Sequence, residues 1–268
     1  MNDRASSKSN RRTALVTGAS GGIGYELAKL FARDHYDLVL VARSRDKLEQ
    51  LADELQKKHG IAVMVISKDL TSPSAPQEIY DEVQGAGVHV DILVNNAGYT
   101  IYGPFTETKW DEELGLIQVN ITALTHLTKL FLPGMIASHW GKVLNLGSTA
   151  SFMPGPLMAL YYASKAYVLS FSEALASELK GTGVSVTALC PGPTWTGFQS
   201  RAGIEGVRLL RAGVMEVKPV ALAGYKGLMN GKTVVVPGRS NQFLIQSVRF
   251  MPRNLLSRVV KLAQQRGH

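Results

Sequence analysis

The stretch from Thr13 to Arg33 constrains the fold more than any other part of the chain. Thr13-Ala14-Leu15-Val16-Thr17 is short, apolar and β-branched, which suits a strand buried on both faces. It runs directly into Gly18-Ala19-Ser20-Gly21-Gly22-Ile23-Gly24, and a helical pattern follows over Tyr25–Arg33. A strand that turns through glycines into a helix start leaves backbone N–H groups unpaired beside the positive end of the helix dipole. Glycine allows positive φ and close backbone approach there. Such a turn is built to receive a diphosphate. The spacing is G-x-x-x-G-x-G rather than G-x-G-x-x-G. Gly18, Ser20, Gly22, Ile23 and Gly24 are the candidate contacts.

The remainder repeats the alternation. Strands are predicted at Leu38–Ala42, Ile61–Ile66, Asp91–Asn95, Lys142–Leu146, Val184–Leu189 and Thr233–Val236. Helical patterns fill the gaps, clearest at Asp46–Lys58 and Tyr161–Leu179. The expected fold is α/β: a single Rossmann-type three-layer domain with a doubly wound parallel sheet of about seven strands. With 45% hydrophobic and 19% charged residues, the composition is that of a globular chain. We expect a basic tail over 1–12, the catalytic domain over 13–238 with a substrate lid near 194–216, and a basic amphipathic extension over 239–268.

The second strand ends at Ala42 and is followed by Arg43-Ser44-Arg45. Dinucleotide sites that bind NAD place an acid near this point to accept from the ribose 2′-OH. Here that acid is absent and Arg43 stands 19 residues past Gly24. A guanidinium at that place pairs with a 2′-phosphate, so NADP(H) is the expected cofactor. The scattered histidines and the one cysteine offer no metal-ligand spacing, and no metal is expected.

Tyr161 and Lys165 stand at i and i+4, one above the other on a helix. An adjacent ammonium would lower the phenol's pKa and fit it for acid–base work. Ser148, just after the fifth strand, could donate a hydrogen bond to an oxygen on which charge develops. Tyr162 competes as the partner of Lys165. Together with the glycine turn, Asn95-Asn96-Ala97-Gly98, Asn120, and Ser148 followed 13 positions later by Tyr161, these residues resemble the short-chain dehydrogenase/reductase family. Within it the chain is similar to the bacterial subgroup related to ketoacyl reductases and hydroxysteroid dehydrogenases.

The resemblance runs from about Thr13 to Val236. It implies a catalytic set of Asn120, Ser148, Tyr161 and Lys165, and it selects Tyr161 over Tyr162. It also implies that Lys165 holds the nicotinamide ribose and that Asn120 supports a relay water. Asp69 and Leu70 would contact the adenine ring. Asn96, Ala97 and Gly98 would lie on the adenosine side and stabilise the sheet edge. Thr194, in Pro191-Gly192-Pro193-Thr194, would hold the carboxamide. Two departures stand out: Gly21 and Gly147 occupy positions where relatives often carry serine.

Loops at the expected substrate end carry Tyr99, Phe105, Phe152, Met153, Leu157, Trp195 and Phe198, with Arg201, Arg208 and Arg211 nearby. Ser148, Phe152, Tyr161, Trp195 and Phe198 are the candidate substrate contacts, for an apolar ketone or ketoacyl-type carbonyl. The net charge of +8 is concentrated at the two ends of the chain. From Arg239 onward there are six Lys or Arg and no Asp or Glu. No nucleic-acid module appears, and none is expected as a partner. After Pro252, Leu255, Leu256, Val259, Val260 and Leu262 would lie broadly on one side of a helix. That pattern fits a helix packed on the body or on a second subunit, which we expect, and also one lying on a membrane surface. No secretory signal precedes the first strand, so a cytoplasmic protein is anticipated, and the family resemblance implies a homo-oligomer, dimer or tetramer. Two other readings stay open: a catalytically silent nucleotide sensor and a membrane-surface protein on the same fold.

Overall fold

The computed structural model describes residues 11–197 and 213–265. Strand β1 (Thr13–Thr17) lies in the middle of a seven-stranded sheet. Beside it run β2 (Asp37–Ala42), β3 (Val63–Ser67), β4 (Ile92–Asn95), β5 (Gly141–Leu146), β6 (Val184–Leu189) and β7 (Val234–Val235). The order is β3-β2-β1-β4-β5-β6-β7, and every pairing is parallel. The order reverses between β1 and β4. That switch point opens a crevice at the carboxyl ends of the strands.

The apolar runs are continuous because both faces of the sheet are covered. Ala14 and Val16 face one core, with α1 (Gly22–Arg33), α2 (Arg45–His59) and α7 (Val217–Met229). Leu15, between them, faces the other, with α3 (Ala75–Gly85) and α5 (Leu124–Ala137). Phe31, Leu27, Leu48 and Leu55 are fully buried in the first core. Each such side chain contributes about 1.5–3 kcal/mol through burial. Helix α4 (Trp110–Ile117) joins α5 through a π-helical turn, Gln118–Ala123, and α6 (Ala159–Glu178) lies over β5 and β6. After β7 come α8 (Arg239–Val248) and α9 (Arg253–Gln264).

The expected fold stands, with local differences. α1 starts at Gly22 rather than Tyr25, so the turn's last glycines already belong to the helix. β3 starts at Val63 because Ala62 N–H donates to the Asp37 carboxylate at 2.8 Å instead of joining the ladder. The five apolar residues after Pro252 divide between two faces of α9. Leu256 and Val260 are buried, whereas Leu255, Val259 and Leu262 are exposed. Among the described residues, no helix is long and apolar enough to cross a membrane.

Candidate active site

At the switch point the ends of β1 and β4 are pinned together. Thr17 Oγ1 accepts from the Asn96 and Ala97 N–H groups, each at 3.0 Å. Asn96 Nδ2 donates to the Thr17 carbonyl at 2.9 Å. This corrects the expected sheet-edge role of the Asn95–Gly98 segment, because β4 is an interior strand. Asn96 also explains two of the glycines. A Cβ on Gly18, whose φ is 67°, would fall 2.7 Å from Asn96 Nδ2, and one on Gly24 would collide with the same atom. Above Gly21 a Cβ would meet nothing among the described residues, where α1 also has no side-chain cap. Open space over uncapped N–H groups is what a diphosphate requires. Ile23 and Leu70 point into the two cores, so only their backbones can face a nucleotide.

The ends of β2 and β3 bring Arg43 and Asp69 together, Nη1 to Oδ2 at 3.8 Å, with both side chains largely exposed. Asp69 also accepts from Thr71 N–H at 3.0 Å, closing a local turn. It does not cap α3, which starts at Ala75 behind Ser74. Arg43 therefore stands at the rim of the crevice, held only by a weak exposed pair. At the far side, Pro191 accepts from Thr149 N–H at 2.8 Å, and Thr194 Oγ1 donates to the Gly192 carbonyl at 2.9 Å. Thr194 and Met215 pair across the base of the expected lid. Phe198, Arg201, Arg208 and Arg211 lie outside the described residues.

The four expected catalytic side chains converge beside this crevice. Asn120 sits in the π-helical turn, an irregularity frequent at functional sites. Its Nδ2 donates to the Tyr99 carbonyl at 3.0 Å and to Ser164 Oγ at 3.1 Å, and its Oδ1 accepts from Tyr99 N–H at 3.2 Å. A Cβ on Gly98 would lie 3.0 Å from Asn120 Oδ1 and 3.5 Å from Lys165 Nζ, so these three residues meet. Ser148 caps a short helical turn, Thr149–Phe152, by accepting from Ala150 N–H at 3.1 Å. Its hydroxyl hydrogen-bonds the Tyr161 phenol. Lys165 Nζ lies 5.8 Å from the Tyr161 ring centre and donates to the Leu146 carbonyl at 2.7 Å.

The electrostatics run against one sequence expectation. Burial pushes the Tyr161 phenol well above its ordinary value, with the Ser148 hydrogen bond opposing it only in part. Burial also pushes Lys165 down to about 8. Desolvation of the two charged forms outweighs the phenolate stabilisation expected from the i, i+4 pair. Tyr162 is set apart. It turns away into an apolar cluster with Ala150, Met158, Val248, Leu256 and Val260, and accepts from Gln264 Nε2 of α9.

Behind Ser148, Gly147 and Cys190 are fitted to each other. A Cβ at 147 would come within 2.8 Å of Cys190 Sγ, which accounts for glycine at this position. Phe152, expected on the substrate, is half-buried and packs one side against Leu169, Ala188 and Cys190. Tyr99 turns toward α4, its hydroxyl donating to the Glu112 carbonyl at 3.1 Å. Trp195 remains exposed beyond Thr194. The cleft next to Tyr161 is lined by Ile101, Phe105, Glu113, Leu157 and Met158. Glu113 was missed because nothing around it in sequence marks it. Its carboxylate is buried, with one oxygen accepting from Thr108 at 2.7 Å and the other unpaired. Leu157 holds a left-handed φ of 69°, and its carbonyl accepts from Gly103 N–H at 2.9 Å, which shapes the cleft wall.

Residues 12–204 match the short chain dehydrogenase family. The chain belongs to that family. Among the relatives of this short-chain dehydrogenase is the very-long-chain 3-oxoacyl-CoA reductase of Pyrenophora tritici-repentis, 40% identical over 177 residues. That match covers 65% of this chain and 52% of the reductase, so the chain spans about half the length of that relative. A short-chain dehydrogenase from Sphingobium yanoikuyae, solved in complex with NADPH, superimposes with a TM-score of 0.80 at 35% identity, covering 89% of this chain and 94% of that one. A bulky-bulky ketone specific alcohol dehydrogenase from Comamonas testosteroni gives a TM-score of 0.76 at 30% identity, covering 90% and 93%.

Proposed function

We propose that the protein is an NADP(H)-dependent oxidoreductase that interconverts a carbonyl and a secondary alcohol, with Tyr161 as the acid–base residue. The observation that carries this is the convergence of Asn120, Ser148, Tyr161 and Lys165 beside a glycine turn whose β2 neighbour ends in Arg43 rather than an acid. Gly18, Ser20, Gly22, Ile23 and Gly24 would hold the diphosphate through backbone N–H groups. Arg43 would hold the 2′-phosphate, with Asp69, Leu70, Asn96, Ala97 and Gly98 around the adenosine. Lys165, Pro191, Gly192 and Thr194 would position the nicotinamide ribose and amide. When bound, the reduced cofactor supplies a hydride to the carbonyl carbon.

The chain's own residues do the rest. Because Ser148 Oγ already accepts from Ala150 N–H, its hydroxyl hydrogen is left to donate, either to Tyr161 or to the substrate oxygen. The raised phenol keeps its proton across the neutral range, so Tyr161 delivers it to the oxygen as the carbonyl π pair becomes a lone pair there. That protonation state favours reduction. In this reading Lys165, its ammonium already destabilised by burial, would return the proton. Both Asn120 side-chain N–H groups are used by protein acceptors, so the residue positions the Tyr99 loop. Any water it held would need its remaining backbone or Oδ1 capacity. The kinship to a 3-oxoacyl-CoA reductase and a bulky-ketone dehydrogenase, with Ile101, Phe105, Leu157 and Met158 among the residues lining the cleft beside Tyr161, favours a bulky apolar ketone or ketoacyl substrate. Ala163, Ala166 and Tyr167 stay exposed along α6, the face on which a homo-oligomer would pack. A cytoplasmic location belongs to the same reading.

The test is to follow NADPH and NADH oxidation against a panel of bulky ketones and ketoacyl thioesters. Tyr161→Phe is expected to lower kcat by about 10²–10⁴ while NADPH binding persists. Unchanged turnover in that variant would remove Tyr161 from its role, and equal efficiency with both nucleotides would remove Arg43 from its own. NADPH binding without turnover on any carbonyl would favour the nucleotide-sensor alternative.

A further inference from the structure

We propose that the C-terminal helix pair, α8 and α9, docks the protein on an anionic lipid bilayer. This goes beyond the catalytic reading and does not rest on it. The inner face of α9 carries Leu256, Val260 and Gln264, all buried against the body. Its outer face carries a second apolar stripe at i, i+4 and i+7: Leu255, Val259 and Leu262 are 50%, 44% and 57% exposed. Arg258 and Lys261, also exposed, flank that stripe. In and just after α8, Phe243 and Phe250 are 76% and 86% exposed, the two most exposed large apolar side chains among the described residues. A body-packed helix needs one apolar stripe, and α9 has two.

Charge decides the occupant. Six Lys or Arg and no Asp or Glu lie between Arg239 and the end of the chain. A second copy meeting this surface about a two-fold axis would set the same cationic patch against itself. An anionic bilayer instead accepts the aromatic and aliphatic side chains into its acyl boundary and the cations among its headgroups. Gln264, on the inner face, donates to Tyr162, the neighbour of Tyr161. The lipid-facing helix is thus also a wall of the catalytic segment, and docking brings that segment within about 10–12 Å of the bilayer, one helix diameter.

The experiment is co-sedimentation of the full chain with phosphatidylcholine vesicles and with equimolar phosphatidylcholine–phosphatidylglycerol vesicles, at low and physiological salt. The protein should pellet with the anionic vesicles only, and less as salt rises. Two variants, Leu255→Ser/Val259→Ser/Leu262→Ser and Arg258→Glu/Lys261→Glu, should each reduce the bound fraction about tenfold. Far-UV circular dichroism and turnover on a water-soluble ketone should be unchanged in both. The proposal fails if nothing pellets with anionic vesicles at low salt, if both lipids or all variants pellet alike, or if the serine variant dissociates an oligomer without any vesicle binding at all.

Discussion

Single atoms decide much of this site. The Gly147–Cys190 contact predicts that Gly147→Ser costs about 1–3 kcal/mol here through overpacking. Cys190→Ala in the same chain should recover most of it, as read by urea unfolding of the four proteins in a double-mutant cycle. Additive losses would show that the sulfur is not the obstacle. The pair was invisible in sequence because 43 positions separate its members. Tyr161, Lys165 and Ser148 were legible because an i, i+4 spacing and a strand end are local features. The direction of the Tyr161 shift was not, since it depends on burial by segments remote from α6.

Among the elements, the strands and the glycine turn could be read from the sequence because apolar runs and glycines act locally. The path of α9 could not be, because the residues after Pro252 carry two apolar stripes and the spacing does not say which one meets the body. The structure selects Leu256 and Val260 and adds Gln264, whose side-chain amide donates to Tyr162 while its backbone carbonyl accepts from Tyr102 at 2.8 Å. Tyr162→Phe would strand a buried donor, and we expect it to cost about 1–3 kcal/mol of stability while leaving kcat within a few-fold. Thermal unfolding and ketone reduction on the same preparation check this. A collapse of kcat with stability intact would transfer the proton-donor role proposed for Tyr161 to its neighbour. Phe152 shows another limit: sequence places it in a loop near the site but does not say that the fold packs its half-buried ring against Leu169, Ala188 and Cys190.

For the whole molecule, the buried lysine links the site to global stability. Lys165 titrates near 10.5 when unfolded and about 8 when folded. Below pH 8 the folded state carries the full cost of the charge. Between about 8 and 10.5 the unfolded chain binds more protons, so this residue's contribution to stability rises with pH. Cys190, raised from 9.0 to about 12, contributes in the opposite sense above pH 9. Lys165→Met isolates the lysine: its stability advantage over the parent should be greatest below pH 8 and shrink by pH 10.5. An advantage that does not vary with pH would mean that Lys165 keeps its proton. The three-layer domain with a parallel sheet of about seven strands followed from the repeated pattern of apolar runs and helices, whereas the strand order and the covering of Tyr162 by α9 came only with the fold. That closure also has a timing. Gln264 follows Tyr162 by 102 positions. At a synthesis rate of about 5–20 residues per second, a growing chain presents Tyr162 and its apolar neighbours without their wall for roughly 5–20 s. For that interval the nascent chain exposes a sticky surface which the finished one hides.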